Sequence, residues 1–232
     1  MNTNSSTTVT DAVRLVDSAS ADTTYTFTGQ FLESSAIFVR RLRDIESLDT
    51  WSEAAMAEHR GLACAVIMQS AAALETETHE VAVHGPGSHL GSNGTDSDAQ
   101  RFLAPIAEVI DDQNTIARFD LILHLLGKQR FDKGVEPYQS VQFVVRLRNE
   151  LVHYKSRWGL QMESTKLYAH LESLRHKVPP FTHPSMNFFP LRCLSADCAD
   201  WALSSVVAFL ESFYSALGVP SRFQSYRARL IP

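Results

Sequence analysis

Ser195-Ala-Asp-Cys-Ala-Asp-Trp-Ala-Leu-Ser-Ser-Val-Val-Ala-Phe-Leu-Glu-Ser-Phe-Tyr-Ser-Ala-Leu-Gly218 is the stretch that decides the fold class. Ala202, Val206, Phe209, Phe213 and Leu217 recur every three or four residues, the period of one helix face. Ser195 stands where an N-cap belongs, Asp197 falls in the first turn, and Gly218 and Pro220 end the pattern. Working outward, the same reasoning predicts helices over 163–177, 137–157, 113–127 and 98–110. Pro137 opens one of them, at a position where its missing N–H costs nothing, and Gly159 is its expected stop. Thr50-Trp-Ser-Glu53 reads as a capping box for an Ala-rich helix reaching His84, where Gly85-Pro-Gly87 breaks it. Residues 29–47 form a further amphipathic helix, with Phe31, Leu32, Ile37, Phe38, Leu42 and Ile45 on its apolar face. No segment alternates as a strand does, and neither a repeat nor a linker is visible. The expectation is an all-α helical bundle of about five to seven helices over residues 23–218. A flexible polar tail is expected over 1–22, a C-terminal tail over 219–232, and a long loop over 85–98.

A chain of 232 residues is long enough to bury a substantial core. The net charge of −5 argues against a broad, sequence-independent coat for nucleic acid, which calls for a strongly basic surface. It leaves room for a local basic site. Three cysteines, Cys64, Cys193 and Cys198, make no disulfide framework and fit a reducing compartment. The first ten residues have neither a basic start nor an apolar stretch, so a secretory leader is not expected. The most apolar run, Gly61 to Leu74, is shorter than a bilayer span. A cytoplasmic protein with no membrane contact is the expectation.

The chemistry concentrates in Val144-Val-Arg-Leu-Arg-Asn-Glu-Leu-Val-His-Tyr-Lys155. On a helix Asn149 and His153 share a face, being four residues apart. Arg148 lies about 100° round the axis, within reach of that face for a long side chain. A guanidinium suits phosphate, and an imidazole moves protons near neutral pH. The set fits phosphodiester chemistry that needs neither metal nor cofactor.

Arg148, followed by polar Asn149 and then His153 five residues on from the arginine, resembles the R-x4-H pattern of HEPN domains. The Ala-rich helix, Leu125-Leu-Gly-Lys128, the motif helix and Cys198-Ala-Asp-Trp-Ala202 extend the resemblance over roughly residues 30–217. It implies an α-helical homodimer whose motif helices face each other. It also implies a metal-independent endoribonuclease of a toxin, defence or RNA-processing system. Arg148 and His153 would then be the catalytic pair, Asn149 their polar support, and RNA the substrate, with Arg146, Tyr154 and Lys155 as substrate-binding neighbours. The resemblance also implies an antitoxin or a nucleotidyltransferase as partner, since some toxin members carry a Tyr two residues after the His that a partner nucleotidyltransferase modifies. Here Tyr154 follows His153 directly and position 155 is Lys, a departure from that pattern. A catalytically silent HEPN module binding a nucleotide or a protein is the alternative.

Other features carry two readings each. Arg148 and His153 near a helix end also serve simply to complement the dipole. Glu75 and Glu77 read first as a solvated helix end, since most Glu is exposed; the sharper reading turns Glu75 inward to orient Arg148. His79, His84 and His89 are spaced by five, which separates ligands on a helix, so no metal site is expected. Trp201, Phe209 and Phe213 read as core. Arg146, Lys155, Arg157, Lys128, Arg130 and Lys133 form either a local phosphate track or a solvated face.

Overall fold

A computed structural model describes residues 27–88, 97–155 and 165–223. Among these the chain is all-helical. Eight α-helices follow one another: α1 (Thr28–Glu46), α2 (Glu53–His84), α3 (Ser97–Leu103), α4 (Ala107–Asp111), α5 (Thr115–Leu125), α6 (Tyr138–Val152), α7 (Lys166–Ser173) and α8 (Ala196–Leu217). A 3₁₀ turn, Ala104–Ile106, separates α3 from α4, and a wide turn, Phe188–Arg192, precedes α8.

The 32-residue α2 is the axis of the bundle. It packs against α1, α3, α4, α5, α6 and α8. Ala63, Val66, Ile67, Ala71, Ala73, Leu74, Val81 and Ala82 are all buried and point in several directions round the helix. That distribution is what a helix enclosed by others requires. Small alanines let those neighbours approach. Helix α8 covers one side. Phe119 of α5 sits between its Phe209 and Phe213, edge-on to both, at 5.0 and 4.8 Å between centroids. The aromatic residues of α8 at 209 and 213 are therefore core; Trp201 is half-buried against it.

Several boundaries differ from those read in the sequence. The cap of α2 is Ser52, whose hydroxyl accepts the Ala55 N–H, and not Thr50. Pro105 divides the helix expected over 98–110, because a proline has no N–H to give and crowds the carbonyl one turn back. That break is the reason for eight helices and not seven. Helix α6 ends at Val152, with His153 as its C-cap (φ −104°, ψ 31°), short of the expected end at 157; Gly159 lies outside the described residues. No glycine or proline announces this stop. Helix α7 is shorter than 163–177, and Arg175 follows it in the left-handed region (φ 51°). In α1 the inward face runs through Leu32, Ala36, Val39, Leu42 and Ile45, while Ile37 is 54% exposed and faces away. Within α6, Val141, Val144 and Leu147 point inward, but Val152 is half exposed.

Other expectations hold to the residue. Ser195 accepts the Cys198 N–H and caps α8, and Gly218 ends it at φ 78°, a conformation that favours glycine. Gly85 ends α2 at φ 84°, ψ 155°, a region essentially closed to other residues. The expected N-terminal tail, residues 1–22, and residues 89–96 of the long loop lie outside the described residues. Beyond α8 the chain stays packed as far as Phe223, which is fully buried.

The central aromatic trio sets a stability test. Phe119→Ala removes a fully buried ring with two edge contacts and is expected to cost about 3–5 kcal/mol. Urea unfolding followed by circular dichroism measures it; a loss under about 1 kcal/mol would contradict this packing.

Candidate functional site

The face of α6 nearly opposite its buried Val144 and Leu147 carries Gln142, Val145, Arg146 and Asn149, at spacings of three, four and seven. This strip forms one wall of an open groove of about 590 Å³. The start of α5, Asn114 to Ala117, supplies the opposite wall, and Glu75 of α2 closes one side. Asn114 is the N-cap of α5, but its side chain makes no cap hydrogen bond. First-turn amides of a helix carry partial positive charge when a side chain leaves them uncapped. Two guanidinium groups, Arg146 and Arg148, line the groove against the single carboxylate of Glu75. The local charge is therefore positive on a chain whose net charge is negative.

Arg148 sits at the meeting point of three helices. Its Nη2 donates to Glu75 Oε1, and Thr115 Oγ1 donates to the same oxygen at 3.1 Å. The Arg148 side chain is 23% exposed, so its head is fixed yet still reachable from the groove. Glu75 holds the arginine while its own side chain stays 38% exposed; the solvated reading is corrected for Glu77. Glu77 is fully buried, where it meets the Tyr214 hydroxyl and Arg222. Neither pairing has a local signature, since the partners lie 73 residues or more away in sequence.

The structure brings Arg148, Asn149 and Arg146 to the groove. Arg146 also lies over the Phe143 ring, 5.4 Å from its centroid. His153 does not line the groove. It is exposed at the end of α6, one turn beyond Asn149, whose carbonyl accepts its backbone N–H at 2.9 Å. Tyr154 and Lys155 are exposed just past it and also stand outside the groove. The Tyr154 ring is 6.2 Å from that of Phe189. Thr115, Gln142 and the start of α5 join the site without having been singled out in the sequence.

The sequence cluster of basic residues does not form one track. Arg130 and Lys133 both turn to Asp120, a carboxylate 3% exposed, at 3.2 and 3.5 Å. Lys128 borders a different hollow with Leu125 and Leu217, and Arg157 is outside the described residues. His79 Nδ1 lies 2.7 Å from Asp111 Oδ2, His84 ends α2, and His89 is outside the described residues. No group of three or more His, Cys, Asp or Glu among the described residues is arranged to hold a metal ion.

The thiols are poor nucleophiles here. Burial pushes Cys198 up to about 12 and raises Cys193 well above the usual thiol range. Cys64, less enclosed, is raised for the same reason. A thiolate is the reactive form, so raising its pKa removes reactivity at neutral pH. No family model, curated protein or solved structure matches this chain.

These shifts predict the response to a thiol reagent. At pH 8 the folded protein should titrate slowly and at Cys64 alone with DTNB, and all three thiols should react after unfolding. Fast labelling of Cys193 or Cys198 in the folded state would contradict the burial described.

Proposed function

We propose that the groove binds the phosphodiester backbone of RNA and that Arg148 and His153 cleave it without a metal, as in HEPN ribonucleases. The observation that carries this reading is the Arg148 head, pinned by Glu75 at the wall of a groove with net positive charge. Among the described residues only Nη2 is committed, to Glu75, which leaves the rest of the guanidinium fork for phosphate oxygens. Asn149 and Arg146 flank it, and α5 begins across the groove. His153 is exposed one turn along the same helix face.

RNA carries its own nucleophile in the 2′-hydroxyl. His153 takes that proton as the oxygen attacks phosphorus. Arg148 stabilises the negative charge gathering on the non-bridging oxygens. The bond to the 5′-oxygen breaks, and that oxygen takes a proton from the second His153 of a homodimer. The products are a 2′,3′-cyclic phosphate and a 5′-hydroxyl. The assignment to a HEPN homodimer, and a setting in a toxin or defence system with an antitoxin, belongs to the same proposal.

A second reading is favoured by one observation: His153 stands outside the groove that Arg148 lines. In that reading the groove binds a nucleotide or an RNA end and catalyses nothing.

Incubation with mixed cellular RNA in EDTA tests both. Cleavage that persists under chelation is expected, leaving ends that carry a cyclic phosphate. Arg148→Ala and His153→Ala should each lower the rate by about 10²-fold or more. RNA binding without cleavage in the wild type, weakened by Arg148→Ala and indifferent to His153→Ala, would establish the second reading. Neither binding nor cleavage by the wild type would remove both.

A further inference from the structure

The far side of α2 holds a second charged cluster, away from the groove. Glu77 is fully buried and Glu80 nearly so. A single nitrogen of Arg222, Nη2, contacts Oε2 of both. Tyr214 donates its hydroxyl to the other oxygen of Glu77. The other oxygen of Glu80 accepts the Phe27 N–H at 2.8 Å and the Thr28 N–H at 3.4 Å, at the start of α1. Arg222 therefore comes from the short segment after Gly218 and closes a socket built from α2, α8 and the first residues of α1. Phe223 follows it, fully buried and 5.8 Å from the Tyr214 ring.

Two buried carboxylates three residues apart on one helix repel each other and lose hydration, so the cluster requires a cation. The cation it has is a guanidinium, which also lies over the Phe223 ring, 5.1 Å from its centroid, but does not use all its donors. Among the described residues, buried Arg222 Nε has no hydrogen-bond partner, and neither has Thr28 Oγ1, also buried beside Glu80. A guanidinium free of the tether at Phe223 has the same charge and more freedom to turn its fork toward both carboxylates.

We propose that Glu77, Glu80 and Tyr214 form a guanidinium receptor that the chain occupies with its own Arg222, making Val219–Phe223 the strap that carries the ligand. While the strap is closed, Glu80 keeps its orientation toward the start of α1. When Arg222 leaves, the socket accepts a guanidinium from outside and the same orientation returns.

The test is chemical rescue of the full chain carrying Arg222→Ala. Its melting temperature should fall below that of the wild type. Methylguanidinium at millimolar concentration should restore about half of the loss in a saturable way, while methylammonium at equal ionic strength restores none. Hydrogen exchange at Phe27 to Leu32 should rise in the variant and fall again with methylguanidinium. Adding Glu77→Gln to Arg222→Ala should abolish the response, and the wild type should not respond. If the variant does not fold alone, refolding yield replaces melting temperature, with recovery expected from methylguanidinium only. Equal effects of both cations, or no effect of either, would overturn the proposal.

Discussion

A charged side chain inside a helical core must be met by an opposite charge, and this requirement organises one end of α2. Glu75, Glu77 and Glu80 occupy fewer than two turns of a helix enclosed by six others. Leaving a buried carboxylate uncompensated costs several kcal/mol, on the order of a whole domain's stability. Glu77 and Glu80, both buried, therefore draw Arg222 from beyond α8, while Glu75, whose side chain is 38% exposed, pairs with Arg148 from α6 at the surface. The apolar face of each helix brings it to α2, and the carboxylates decide which polar groups arrive with it. Arg148 is thus placed at the groove by the same kind of pairing that closes the chain after α8. The difference is exposure. At Glu75 the pair opens on solvent, so the guanidinium has donors left for a ligand; at Glu77 it is sealed.

How far the sequence reveals this depends on distance along the chain. Helix α8 was legible to the residue, since Ser195, the 209–213–217 spacing and Gly218 are all local signals. The end of α2 at Gly85 was legible for the same reason. The break at Pro105 escapes the periodic reading because the apolar period continues on both sides of it. The stop at Val152 had no breaker residue to mark it. An inward face is overdetermined where apolar residues outnumber the positions the core needs: Ile37 fits the helical period of its neighbours but faces out.

The groove was half legible. Arg148, Asn149 and Arg146 stand out because chemistry clusters in one helix, and the structure keeps those three together. The other wall, at Asn114 and Thr115, carries no motif and is brought there by packing alone. Glu75 looked like any glutamate near the end of an apolar run. Its role appears only when α2 and α6 lie side by side, which no local pattern encodes. Basic residues adjacent in sequence were dispersed for a related reason: the buried Asp120 captures Arg130 and Lys133, leaving Arg146 as the groove's second cation.

The most direct measure of this account is a double-mutant cycle on Glu75 and Arg148, with Glu75→Gln, Arg148→Met and the pair together, read by urea unfolding. If the carboxylate holds the guanidinium at the groove, the two changes are coupled by about 0.5 kcal/mol or more. Additive changes would show that Arg148 is placed without Glu75, and would contradict the account.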